Sequence, residues 1–310
     1  MEKVLAIVGP TAVGKTSLSL KLAKKFNGEI ISGDSMQVYQ NLNIGTAKIS
    51  VDEQQGIKHH LINIREIDQR FSVSDFKKEA TEKIHQITSD GHLPIIVGGT
   101  GFYLQALLAD LSLGNDQYEP AETVRSKWHS YAKEHSQEQL WQKLNDIDPK
   151  AAAKIPVTNE VRVVRALEVF EKTGQLFSEQ NDVNKAPYDA LLVGLNTDRS
   201  LLYKRIDQRV DQMVTDGLEK EAHWLYQQGG VQLPAGKGIG YREWYPYFKK
   251  QISKELVIAK IKQNSRHYAK RQLTWFRNKM NVNWFDIIQR PDEEKKIIAE
   301  IQKWVGGNQK

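Results

Sequence analysis

Apolar residues along this 310-residue chain follow two spacings in alternation. Lys3 to Val8, KVLAIV, is a continuous β-branched run, as expected for a strand covered on both faces. Just downstream, Leu18, Leu22 and Phe26 recur at helical spacing. Further strands are expected at Gly28–Asp34, Leu93–Gly99 and Ala190–Asn196, and helical stretches at Ser74–Gly91 and Arg199–Gly229. Strands that alternate with helices build a parallel sheet with helices on both faces. Between Leu113 and Pro187 the pattern changes: Ala121–Ile155 and Asn159–Gly174 read as helices, with no strong strand between them. The expected organisation is therefore an α/β core of residues 1–112 and 188–310, interrupted by a helical insertion at 113–187. No internal repeat or low-complexity tract interrupts it.

The link between the first strand and the first helix is GPTAVGKT, Gly9 to Thr16, a full match to G-x-x-x-x-G-K-[S/T]. With glycine near 7% of average usage, a chance match in a chain this long is about a one-in-a-hundred event. The glycines let backbone N–H groups turn inward on an anion at a helix N-terminus. Gly9, Thr11, Ala12, Val13, Gly14, Lys15 and Thr16 form the expected phosphate site, with Lys15 as a point charge and the Thr16 hydroxyl as a ligand for Mg²⁺. The motif makes the fold class P-loop NTPase-like: a doubly wound parallel sheet with a helical insertion domain. A hydrolytic NTPase wants a strand-end aspartate to hold the metal and position water. Here the strand LPIIV instead runs into Gly98-Gly99-Thr100-Gly101. The first strand-end carboxylate is Asp34, where ligands of such sheets bind. That position suits a base acting on a second substrate, or else a helix cap.

Charge sharpens the picture. The formal net charge is +6, yet Leu256 to Phe285 holds seven Lys/Arg and no acid, which accounts for the whole excess. Within it Lys262, Arg266 and Lys270 recur every four residues, with Tyr268, Trp275 and Phe276 interleaved. A localised basic stripe with aromatics points to a polyanion, or else to a solvated helix face over core aromatics. The chain has no cysteine, which excludes disulfides and Cys-ligated zinc. No apolar run reaches the length of a signal or membrane segment. A soluble cytoplasmic protein is expected, with no membrane partner and nothing that demands more than a monomer. His59-His60 does not chelate as a strand pair, because neighbours point to opposite faces. Trp128, Trp141, Trp224 and Trp244 read as packing residues.

GPTAVGKT is followed in order by ISGDSMQVYQNLNIGTAK (Ile31 to Lys48), HHLI (His59 to Ile62), VGGTGFY (Val97 to Tyr103), GIGYRE (Gly238 to Glu243) and AKRQLTWFRN (Ala269 to Asn278). Over essentially its whole length the chain resembles the tRNA dimethylallyltransferase (tRNA isopentenyltransferase) family. Without cysteine for a zinc finger, and without a transit peptide, it resembles the bacterial form. The resemblance implies that the phosphate loop holds the diphosphate of dimethylallyl diphosphate, with Mg²⁺ on Thr16. The implied acceptor is N6 of the adenosine 3′ of the anticodon, position 37, in tRNAs reading codons that begin with U. It implies catalytic roles for Asp34 as general base, Thr16, and Arg209 on the diphosphate. It further implies tRNA contacts at Asp34, Ser35, Met36, Gln37, Thr100, Arg125, Arg162, Arg165, Lys237, Arg242, Lys270, Arg271, Gln272, Trp275 and Arg277, gripping the anticodon stem-loop.

Chemistry supports the same roles. Ionisation of an allylic diphosphate needs charge stabilised on the leaving group, and the weakly nucleophilic adenine amine needs a carboxylate to take its proton. An amine in a stacked loop must be extruded to be reached. Three other readings compete. An ATP-dependent small-molecule kinase leaves the basic tail unexplained. An adenylate isopentenyltransferase acting on free AMP, ADP or ATP needs neither insertion nor stripe. A GTP-driven RNA-binding switch wants an Asn-Lys-x-Asp loop, which is absent.

Overall fold

The structure is a computed structural model and describes residues 1–111, 113, 122–179 and 186–307. In chain order the first part of the core runs β1 (Glu2–Val8), α1 (Lys15–Lys25), β2 (Gly28–Ser32), β3 (His59–His60), α2 (Val73–Ser89), β4 (Leu93–Gly98) and α3 (Gly101–Leu108). Helices α4 (Glu122–Glu134), α5 (Gln137–Ile147), α6 (Pro149–Ala152) and α7 (Glu160–Thr173) follow. The chain then returns through β5 (Tyr188–Leu195), α8 (Arg199–Thr215), α9 (Leu218–Gln227), α10 (Tyr245–Phe248), α11 (Lys254–Lys279), β6 (Asn283–Phe285) and α12 (Glu293–Gly306).

The six strands form one sheet in the order β3-β2-β4-β1-β5-β6, parallel at every pairing. β1 lies inside it, with Leu5 opposite both Ile95 and Leu191. Its residues alternate between two cores, which is why its whole run is apolar. Val4, Ala6 and Val8 pack with Phe76 and Ile84 of α2, Leu104 of α3 and Val257 and Phe276 of α11. Leu5 and Ile7 pack on the other face with Leu18 and Leu22 of α1, Ile206 of α8 and Ile297 of α12. The sheet is therefore wound on both sides.

Local signals set several helix ends. Ser72 and Asp75 close a capping box at the start of α2. Gly217, with φ +107°, separates α8 from α9, so the single helical stretch expected over Arg199–Gly229 is two helices. The basic segment Leu256–Phe285 is helical as far as Lys279, in α11, and its last residues form β6.

The chain divides into two compact units, Met1–Ala109 with Ala186–Lys310, and Asp110–Lys185. The second unit has its own core of Leu140, Leu144, Ile155, Val163 and Leu167. Asn159 caps α7 at one end, and Gly174 ends it in a left-handed conformation.

Candidate active site

The phosphate loop leaves the carboxyl end of β1 and turns directly into α1. Gly9 stands at φ +142°, and a Cβ there would lie 2.4 Å from the Leu195 carbonyl oxygen, so only glycine fits. Ala12 and Gly14 also take positive φ, at 63° and 100°. These bends put Thr11 to Ser17 on the wall of a cavity of about 660 Å³, at the positive end of α1. The Lys15 Nζ donates to the carbonyls of Gly9 (3.0 Å) and Pro10 (2.6 Å). Burial first, and the nearby Arg209 second, lower its pKa to about 7, while Asp34 opposes the shift. From α8, Arg209 donates to the Thr11 Oγ1 at 3.2 Å and Arg205 to the Ala12 carbonyl at 2.9 Å. Burial pulls the Arg209 pKa down, and Asp34 again opposes.

The opposite wall follows β2. Asp34, Ser35, Met36 and Gln37 all line the cavity. The Asp34 Oδ1 accepts the Met36 N–H at 2.8 Å, an Asx turn, and the residues that follow form turns instead of a helix. Thr100, at the end of β4, accepts the Ser35 N–H on its Oγ1 at 3.2 Å and ties the two strand-end loops together. Tyr268 of α11 closes the space; burial, then the Asp34 charge, push its phenol up to about 12, so it stays a neutral donor.

Gln272 of α11 is buried, and both ends of its amide are used inside the protein. Its Oε1 accepts the Thr11 N–H at 3.2 Å, and its Nε2 donates to the Gly99 carbonyl at 3.0 Å. It therefore bolts the phosphate loop to the β4–α3 turn. Trp275 packs against Gly101 and meets the Phe102 ring edge-on at 5.8 Å.

The basic stripe divides. Lys262 pairs with Asp211, and Arg266 with Asp207 at 2.6 Å, both acids on α8, so this half is neutralised. Lys270, Arg271 and Arg277 are exposed, and Arg271 and Arg277 lie over the Tyr268 and Trp284 rings. Lys237 and Arg242 are exposed on the turns leading to α10, and the Arg242 Nε donates to Glu243 at 3.2 Å. In the second unit Arg162 is exposed, whereas Arg125 and Arg165 both reach the buried carboxylate of Glu168, at 2.8 and 3.0 Å.

His60 meets Glu29 at 2.7 Å and His59 the Ile57 carbonyl at 2.8 Å, so the two rings diverge. Among the described residues no group of three His, Asp or Glu side chains could hold a metal, and no helix is long and apolar enough to cross a membrane. Glu221 and Arg205, which touch the loops of the cavity, carried no separate signal in the sequence, and Tyr241 entered it only as part of GIGYRE. Only a (i, i+4) spacing from Arg205 to Arg209 put both on one face of α8.

Comparison with known proteins agrees with this layout. The IPP transferase family model matches residues 37–279. A tRNA dimethylallyltransferase of Limosilactobacillus fermentum is 57% identical over 98% of this chain and 99% of its own. One from Enterococcus faecalis is 52% identical over 98% of both. The crystal structure of the full-length tRNA isopentenylpyrophosphate transferase from Bacillus halodurans is 45% identical, with TM-score 0.74, covering 98% of this chain and 97% of that one. A eukaryotic dimethylallyltransferase captured acting on tRNA is 29% identical, with TM-score 0.83, covering 99% of this chain and 80% of its own. With a family model spanning most of the chain, and relatives more than half identical along nearly all of it, this protein belongs to the IPP transferase family, the tRNA dimethylallyltransferases.

Proposed function

We propose that the protein transfers the dimethylallyl group of dimethylallyl diphosphate to N6 of the adenosine at position 37, 3′-adjacent to the anticodon, in tRNAs reading codons that begin with U. The observation that carries this reading is that one cavity holds a phosphate loop on one wall and Asp34 with Ser35, Met36 and Gln37 on the other. Donor and acceptor would meet there without a separate hydrolytic centre.

In this reading the C1–O bond to diphosphate breaks as N6 bonds to C1, and the N6 proton passes to Asp34. The loop amides, Lys15 and Arg209 stabilise the charge that builds on the departing diphosphate. Gly9, Thr11 and Ala12 to Thr16 shape that cradle. Mg²⁺ fits this donor set: it favours a single protein oxygen plus substrate phosphates and water over a cage of side chains, and Thr16 supplies such an oxygen at the cavity wall. When bound it would neutralise part of the diphosphate charge. The exposed cations Lys237, Arg242, Lys270, Arg271 and Arg277, with Arg162 on the second unit, suit RNA phosphates.

A labelled-donor assay tests the reading. Protein, Mg²⁺ and radiolabelled dimethylallyl diphosphate are incubated with unmodified tRNA or with AMP. Label on tRNA, lost when adenosine 37 is replaced, is the expected result. Label on AMP alone would move the protein to free-nucleotide chemistry, and label on neither would overturn the reading.

A further inference from the structure

We infer that Glu221, on α9 and outside the residues that line the cavity, is a positioning residue for the acceptor pocket, with Tyr241 as its partner. The inference rests on the reading of the Asp34 wall as the place where the base is held. One carboxylate receives four donors. Its Oε2 accepts the N–H groups of Asn43 (2.8 Å) and Ile44 (2.9 Å), and its Oε1 accepts the Gly45 N–H (2.9 Å) and the Tyr241 hydroxyl (2.6 Å). Only an ionised carboxylate offers enough acceptor sites for that set; an amide would turn its NH₂ group toward two donors. Burial first, then the Glu221 charge, hold the Tyr241 phenol far above its ordinary pKa, so it remains a donor. The backbone of Gly45 presses on that ring, and a Cβ at 45 would lie 2.5 Å from it.

The clamp reaches the pocket in two steps. The residues after Gly45 present the carbonyls of Thr46 and Ala47 to the Gln37 Nε2, at 3.3 and 3.5 Å. The Gln37 Oε1 accepts the Ser32 hydroxyl at 2.9 Å, which fixes the amide's orientation. Gln37, Gly45, Thr46 and Ala47 line the cavity with Asp34, as do Ile239 and Gly240 just before Tyr241. Glu221 thus joins two loops of different sequence origin into one wall and sets the carbonyls that aim Gln37. A displacement of about 1 Å at such a wall can cost about 100-fold in rate.

The test compares Glu221→Gln, Tyr241→Phe and Gln37→Ala, singly and combined. It reads kcat and KM on an anticodon stem-loop, and the Kd of inorganic diphosphate without RNA. Glu221→Gln should lower kcat/KM for RNA by about 100-fold and Tyr241→Phe by about tenfold, with diphosphate affinity within about twofold of wild type. Adding Gln37→Ala to Glu221→Gln should cost less than about threefold more, because both act at one place. Parallel loss of diphosphate affinity, full additivity, or wild-type kinetics in Glu221→Gln would overturn the inference. Should Glu221→Gln not fold, Tyr241→Phe, which removes one hydroxyl from a buried ring, decides alone. A wild-type protein inactive on RNA would instead strike the proposed function.

Discussion

Lys15 gives the phosphate loop a pH dependence that can be worked out in advance. Its pKa falls from an ordinary 10.5 to about 7 in the free protein, chiefly by burial. A diphosphate in the loop favours the ammonium form, so above pH 7 binding must bring a proton with it. The charged fraction drops from about one half at pH 7 to about one in a hundred at pH 9. The Kd for diphosphate should therefore rise about 50-fold over that interval, or about 2.3 kcal/mol. The Lys15 side chain is only half-buried, which makes this an upper bound. Stability runs the other way. The unfolded chain binds more protons between about pH 7 and 10.5, so the ligand-free protein gains stability as pH rises through that window. Calorimetric titration of inorganic diphosphate at pH 7, 8 and 9, in buffers of different ionisation enthalpy and corrected for the diphosphate's own last ionisation, measures both Kd and proton uptake. Uptake should approach one proton at pH 9, and Lys15→Arg should flatten both curves. A constant Kd with no uptake would refute the assignment of that pKa to binding.

Three other perturbations separate the parts of the site. Asp34→Asn should abolish transfer while leaving tRNA affinity in a filter-binding assay within about threefold, since only proton transfer is removed; equal loss of both would remove Asp34 from the base role. Lys270→Ala with Arg271→Ala should reduce the slope of log K against log salt by about 1.5, two phosphate contacts' worth, and an unchanged slope would count against that surface. Gln272→Leu orphans the Thr11 N–H and the Gly99 carbonyl; chemical denaturation should show a loss of about 2–4 kcal/mol, together with weaker diphosphate binding. Unchanged stability would mean that water replaces both bonds.

The central strand and its loop were readable locally. KVLAIV carries its own apolar density, and the glycines of GPTAVGKT can be recognised one by one. Strand β6 was not, because three residues carry no period, and the sequence left the place of the His59-His60 strand in the sheet open; the pairings of His59 with Ile30 and of Trp284 with Gly194 set both. The basic stripe was read correctly as charge but not as surface. Lys262 and Arg266 face Asp211 and Asp207, which stand 51 and 59 residues earlier on another helix. Gln272 looked like one member of a contact motif, and its place between two loops depends on how α11 crosses the sheet ends. Glu221 had no local mark at all, since its four donors come from two distant turns.

The interior place of β1 has a consequence for how the chain is made. One neighbour, β4, ends at Gly98, but the other, β5, begins only at Tyr188. At 5–20 residues per second the ribosome takes about 10–40 s to go from Val8 to Tyr188. Throughout that interval an apolar strand has an open hydrogen-bonding edge, the kind of template that recruits other chains. The insertion is made within the same wait. A nascent chain of this design thus needs protection until β5 arrives to close the edge, long after β4 has paired with β1.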